Sequence, residues 1–394
     1  MTNGDRVPVA RLWLAVLCGY LALGATLQEL PIYVSDRFHQ PAFTVGIVVG
    51  LAFAGTAVAR PFAGRAADSG RSRPIVMAGG VLTTVAGVGH LLAPDVGTLL
   101  LARLVMGVGE AALFSGCLPW VLTGVDASRR ARIAGWFGLS MWGGLSAGPL
   151  LAAAAASAGG TAAVWSAVVA LPIVSTLLVA STRRPSGPKA PLSIRGRRDL
   201  IPAGVGGPGA MLGLAAYGYG TLTALLVLFL ATPGVGGREA GLAVFSVSFL
   251  LTRAVGSPLI DRYGGLAAAR CVLLVEAGGL VLLANAASEI VALLAVAVTG
   301  VGLGLIYPAT TKLTLHRAGA LTPGAAVGAM TSFWDLGILA AGPVGGLIAG
   351  HAGFRPAFAV GAGAAALAFA LTVTGTRSRS SREASSARED ASRA

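Results

Sequence analysis

Ala59-Arg60-Pro61-Phe62-Ala63-Gly64-Arg65-Ala66-Ala67-Asp68-Ser69-Gly70-Arg71-Ser72-Arg73 closes one long apolar run and opens the next. Within it Arg60, Gly64 and Asp68 are spaced R-x3-G-x3-D. The spacing returns 193 residues later as Arg253, Ser257 and Asp261, again at the end of an apolar run. A charged signature repeated half a chain apart predicts two copies of one membrane unit. A solute path then lies between the copies, so the layout points to transport.

The bulk composition agrees. The 394 residues are 55% hydrophobic and only 11% charged, whereas soluble domains run nearer a quarter charged. A spanning helix needs about 20 largely apolar residues. Twelve segments qualify: 10–34, 43–64, 74–93, 97–123, 131–157, 162–182, 202–231, 239–260, 267–287, 290–314, 324–350 and 356–376. Strands of about ten residues with alternating polarity, the mark of a membrane barrel, are missing. The predicted fold is an all-α membrane protein of two six-helix bundles. The first covers 1–182 and the second 201–376, with a basic cytoplasmic linker over 183–200. The Ser-, Arg- and Glu-rich tail, 377–394, has the composition of a disordered segment.

A net charge of +13 suggests nucleic acid until the arginines are placed. One side carries Arg65, Arg71, Arg73, Arg129, Arg130, Arg132, Arg183, Arg184, Lys189, Arg195, Arg197, Arg198, Arg262, Arg270 and Arg317. The other carries only Arg37, Arg238 and Arg355. This is a positive-inside bias, which predicts a lipid bilayer as partner, no nucleic acid, and both termini in the cytoplasm. Cys18, Cys117 and Cys271 all fall in apolar spans and read as small buried hydrophobes. His39, His90, His316 and His351 show no metal-ligand spacing. There is no phosphate-binding loop and no nucleophile constellation. No cofactor, metal or enzymatic activity is expected.

Further pairs share the repeat. Gly107 and Gly109 of span 4 return as Gly300 and Gly302 of span 10, and Gly148-Pro149 of span 5 as Gly342-Pro343 of span 11. With the loop 64–73, which is similar to the signature G-x3-D-[RK]-x-G-[RK]-[RK], the chain resembles the major facilitator superfamily over nearly its whole length. It departs from the signature at Ser69, where a basic residue is usual, and in a Gly that falls one place early. The second copy has Ser257 for the first Gly.

That resemblance implies a cytoplasmic gate at Arg60, Gly64, Asp68 and Arg71, with Arg253 and Asp261 as a weaker second latch. Gly64 is expected to let two helices approach closely. Asp68 is expected to meet the start of span 11, where Thr322-Pro323 resembles a cap and a first-turn proline. Span 5 carries Gly135-x8-Gly144-x3-Gly148-Pro149, similar to the superfamily's antiporter signature with its final Gly pair changed to Ala152-Ala153. This implies export in exchange for protons.

Charges within the bilayer are costly, about 2.5–3.5 kcal/mol each at a helix centre, and so mark function. Glu29, Glu110, Glu276 and Asp335 fall inside spans, with Arg103. Arg103, Gly107 and Ala111 also match a span-4 pattern, R-x3-G-x3-[GA], that the resemblance associates with proton coupling. Glu29 and Arg103 have similar depth, and the resemblance makes spans 1 and 4 neighbours, so they are expected to pair. Glu110 and Asp335, one per half and near the midplane, are the expected proton or cation sites. Glu276 is expected to hydrogen-bond a neighbouring helix. Tyr217, Tyr307, Trp142, Phe333 and Trp334 are candidate cavity aromatics, beside Tyr219 and Trp120.

The sequence thus predicts a monomeric twelve-helix transporter of a bacterial inner membrane. Its partners are protons and a small organic solute, a drug or metabolite, which it exports. Proton-coupled uptake of a sugar or other nutrient is the alternative within transport. A non-transporting sensor of transporter origin is the alternative outside it.

Overall fold

Glycine and proline set most of the helix ends. The computed structural model describes residues 7–123, 125–183, 196, 203–318 and 323–393. Helix α1 spans Val9–Phe38, α2 Ala42–Ala66, α3 Ser72–Leu91 and α4 Val96–Leu122. Ala127–Ala180 is one helical run broken at Gly159 and Gly160, where Gly160 has φ 65°. Its arms are α5 (127–158) and α6 (161–180). The second half contains α7 (Gly206–Leu230), α8 (Gly241–Tyr263), α9 (Gly265–Ala284) and α10, Glu289–Gly304. Past a break at Leu305, α10 continues as Ile306–Ala318. Pro308 lacks the N–H that would bond the Gly304 carbonyl, which accounts for the break. The last two helices are α11 (Pro323–Ala352) and α12 (Phe354–Arg393). No strand is present among the described residues.

Ten described helices are long and apolar enough to cross a bilayer, against twelve spans expected from sequence. Two features account for the difference. The α5 and α6 arms run together through their Gly-Gly elbow, and the described part of α8 that counts as apolar, Gly241–Gly256, is shorter than a full span. Helix α12 runs on to Arg393 through the tail whose composition predicts disorder. Ala, Arg and Glu are good helix formers, and neither Gly nor Pro follows Gly375. The linker over 183–200 lies outside the described residues except for Arg183 and Gly196.

Both copies of the opening signature turn on a glycine. Gly70, two residues after Asp68, has φ 82°, and Gly264, three after Asp261, has φ 86°. Side-chain-bearing residues rarely adopt such values, so each glycine permits a tight turn between helices. This is why the one-place shift in the first copy is tolerated: the turn needs a glycine, not a fixed register.

The pattern of helix neighbours repeats. In the first half α1 packs along α5 and α2 along α4; in the second α7 packs along α11 and α8 along α10. Glycines allow these contacts. Gly144 lies against Leu17 and Tyr20, and Gly148 against Gly24 and Ala25. Gly337 lies against Gly213, and Gly220 against Ile338. Large apolar side chains such as Val58, Leu101, Leu177, Val255, Ile290 and Leu367 point outward, as lipid-facing residues do.

The strongest contact between the halves is α2 against α11. Gly46 meets Gly342 backbone to backbone, Gly50 lies over Leu339, and Gly346 lies over Ala42 and Phe43. These positions lie towards the end of α2 remote from the basic loops. The face with the Asp68 loop is called the basic face below, and the other the opposite face. On the opposite face the connections are short: 39–41, 92–95, the Gly159-Gly160 elbow, 231–240, 285–288 and Gly353 alone.

Candidate functional site

Halfway through the bundle, α2 and α11 are joined by charge. Arg60 Nε donates to Asp335 Oδ2 at 2.6 Å and Nη2 donates to Oδ1 at 3.3 Å. Arg60 is 5% exposed and Asp335 is 0% exposed. Sequence reading assigns Arg60 to the basic-face gate and Asp335 to an open solute or proton site. The structure brings the two together in one buried pair across the halves. Such a pair is electrostatically strong but expensive to desolvate, and removing one partner leaves the other charge uncompensated.

Two tyrosines and a second acid surround the pair. Tyr20 of α1 donates to the Glu110 carbonyl at 3.2 Å, and its hydroxyl also interacts with Arg60. Tyr307 of α10 lies within the electrostatic reach of Arg60 and faces Thr331 at 3.3 Å. Glu110 is fully buried, and neither carboxyl oxygen has a hydrogen-bond partner. The carboxyl packs against Gly19 of α1, where a side chain would displace it. Arg60 is the charge that Glu110 senses. Of the two acids expected near the midplane, Asp335 is thus paired with an arginine that the sequence does not place there, and the Glu110 carboxyl has no hydrogen-bond partner.

Arg103 is held otherwise than expected. Its Nε donates to the Val48 carbonyl at 3.0 Å and its Nη2 to the Val49 carbonyl at 2.7 Å. Its Nη1 donates to Thr26 Oγ1 at 2.9 Å and lies 3.6 Å from Met106 Sδ. These contacts tie α4 to α1 and α2. The expected Glu29–Arg103 pair does not form: Arg103 meets α1 at Thr26, about one turn short of Glu29. A guanidinium spans this carbonyl pair and the hydroxyl; an ammonium is a single point donor. Arg103→Lys is thus expected to lose at least one charged hydrogen bond, about 1.5–3 kcal/mol. The check is a lowered thermal midpoint in detergent.

The gate residues are less compact than expected. A side chain built at Gly64 would meet nothing within 4 Å, so no close helix approach occurs there. Helices α2 and α11 cross tightly near Gly46 instead. Arg71 donates to Ser69 Oγ at 2.6 Å, so the serine that departs from the superfamily pattern orders its own loop. The side chains of Asp68 and Asp261, and Thr322, lie outside the described residues. Of the span-5 motif, Gly144 and Gly148 pack on α1 and Pro149 sits within the helix. Gly135 is exposed and touches nothing. Glu276 has no hydrogen bond, contrary to expectation. Its carboxyl is fully buried against Gly218 of α7, much as Glu110 lies against Gly19.

The aromatics divide sharply. Trp142 stands 5.0 Å from Tyr307, 4.9 Å from Trp334 and 5.8 Å from Phe249, measured between ring centroids. Tyr219 joins this cluster 5.3 Å from Trp334. Tyr217 and Phe333 do not. The Tyr217 hydroxyl has no partner, and Phe333 packs against Gly209 and Gly213 within its own half. On the opposite face a groove of about 400 Å³ opens between the ends of α1 and α7, with Asp36, Gln40, Thr232 and Arg238 among its walls.

Two bundles facing each other across buried charges and aromatics define a membrane carrier. The chain belongs to the major facilitator superfamily: the family model so described matches residues 12–342 and, again, 209–393. An uncharacterized MFS-type transporter of Salmonella typhimurium is 29% identical over 375 residues, covering 91% of this chain and 94% of that one. The uncharacterized MFS-type transporter YhhS of Escherichia coli K12 is 31% identical over 346 residues, 85% of this chain and 84% of its own. Among solved structures, the human organic anion transporter MFSD10 superposes with a TM-score of 0.69 at 15% identity, over 94% of this chain and 100% of that one. The nucleoside transporter NupG superposes with a TM-score of 0.70 at 12% identity, over 93% and 99%. These two share the fold. The protein is a multi-pass transporter of the MFS type.

Proposed function

We propose that this transporter exports a small organic solute in exchange for protons across a bacterial inner membrane, as a monomer with both termini in the cytoplasm. The observation that carries the reading is the buried Arg60–Asp335 pair between the halves. A proton on Asp335 removes the negative charge and turns the cross-half contact from an ion pair into a hydrogen bond between a cation and a neutral acid. Arg60 is then free to turn to the carboxyl of Glu110, which has no hydrogen-bond partner in its own half. The exchange of partners loosens α2 from α11 and lets the halves rock about the midplane. Loss of the proton to the cytoplasm restores the pair.

The driving force is sufficient. Each inward proton contributes about 2.3 kcal/mol per 100 mV and about 1.4 kcal/mol per pH unit. Either alone supports a solute gradient of tenfold or more. Export over uptake is favoured by the span-5 signature. Its Gly144 and Gly148 fit α1 into α5, so that the two helices move as one.

Everted membrane vesicles acidified inside test both direction and coupling. A panel of fluorescent organic dyes is offered, and at least one is expected to accumulate and release protons as it enters. Accumulation only in right-side-out vesicles, driven by inward proton flow, would mean uptake. Glu110→Gln removes no hydrogen bond of the carboxyl and should leave the fold intact. It is expected to slow pH-driven transport at least tenfold while passive exchange of the same dye continues.

A further inference from the structure

The proton mechanism leaves a second cross-half contact unused. Arg253 occupies the place in the second repeat that Arg60 occupies in the first. Its Cζ lies 5.3 Å from the ring centroid of Trp142 and 5.6 Å from that of Tyr307. Trp142 belongs to α5, so Arg253 on α8 also reaches across the halves. Across the halves Arg60 meets a carboxylate and Arg253 meets the face of Trp142.

Those rings form a cage. Trp334 stands edge-on to Trp142 at an interplanar angle of 86°, and Phe249 closes another side. Trp142 and Trp334 are each 2% exposed. The Trp142 indole N–H is buried and has no acceptor. A buried N–H without an acceptor is a group that a bound molecule carrying an acceptor would satisfy. Ring faces carry the negative end of the aromatic quadrupole, so the cage attracts cations and repels anions, most strongly where water is excluded.

We infer that the cage of Trp142, Tyr307 and Trp334 is the solute site, that its ligand is a planar organic cation carrying a hydrogen-bond acceptor, and that Arg253 holds the solute's place when the site is empty. An amidinium, a guanidinium or a protonated heteroaromatic ring fits the description. The solute takes the ring faces from Arg253, and its acceptor receives the Trp142 N–H. Arg253 then leaves the rings, and the solute breaks this contact between the halves. The transport consequence rests on the proposed exchange mechanism; the binding chemistry does not.

Equilibrium binding tests the site without any gradient. Three probes of one shape are compared on the purified full-length protein: 4-methoxybenzamidinium, neutral 4-methoxybenzamide and anionic 4-methoxybenzoate. Quenching of tryptophan fluorescence and calorimetry are the readouts. The amidinium is expected to bind at least tenfold more tightly than either isostere. Arg253→Ala removes the internal competitor and should tighten amidinium binding about tenfold, because more of the protein is then competent to bind. Arg253→Lys, whose ammonium stacks poorly on rings, should tighten it less and serves if the alanine variant is unstable. Trp142→Leu should abolish binding. Preferred binding of the benzoate, or weaker amidinium binding in both Arg253 variants, overturns the inference. Vesicles that show no proton exchange, beside intact selectivity for the amidinium, would remove the coupling mechanism and leave the site standing.

Discussion

Asp335→Asn is expected to carry no solute in response to a pH jump. Asparagine cannot take up the proton, and its amide offers Arg60 a neutral acceptor in place of the two charge-assisted bonds at 2.6 and 3.3 Å. The variant imitates the protonated state permanently, so one half of the cycle has no return. It also leaves Arg60 buried without its counter-charge. Breaking a buried pair in this way costs about 3–5 kcal/mol. A compensated double change, Arg60→Met with Asp335→Leu, is expected to be more stable than either single change, and equally inactive. Thermal midpoints in detergent and dye transport in vesicles separate the two effects. Wild-type pH-driven rates in Asp335→Asn would remove the acid from the mechanism.

Gly46→Leu is expected to stop turnover from a different place. Gly46 and Gly342 meet backbone to backbone where α2 crosses α11 towards the opposite face. There is no flexible side chain to yield, so any larger residue must push one helix away. The crossing is the tightest contact between the halves, and a cycle that needs it to form would stall with that face open. Transport is expected to fall about a hundredfold, while solute added from that face still binds. A cysteine placed at Ile338, now 1% exposed, should become reactive to a membrane-impermeant thiol reagent only in the variant. Gly64→Leu is the control. Its position has open space around it, and the same change there should leave the crossing closed.

Much of the fold is legible because it repeats. Apolar length gives the spans, and the offset of Arg60 and Arg253 gives the two copies. Side-chain partnerships are less legible because they depend on azimuth as well as depth. Counting residues puts Glu29 and Arg103 at one level, yet Arg103 turns to the Val48 and Val49 carbonyls. Counting puts Arg60 near the basic loops, but a long side chain directed inward reaches Asp335, 275 residues away in sequence. Tyr217 and Tyr219 are two positions apart and face nearly opposite sides of α7, so composition alone does not choose between them. A buried unpaired arginine needs an acid; the sequence offers four candidates, and only packing selects one.

The short connections on the opposite face leave that side of the molecule almost without a handle. Five of the six are four residues or fewer, and only 231–240 is longer. That segment contains Gly234, Gly236 and Gly237, all with φ above 80°, in backbone that already departs from helix. It is where an epitope tag or a binding site for an antibody fragment can be inserted with least disturbance. Staining of intact cells through such an insertion would settle sidedness. The same loop would serve as a fiducial for single-particle imaging of a protein that otherwise offers little mass beyond the bilayer.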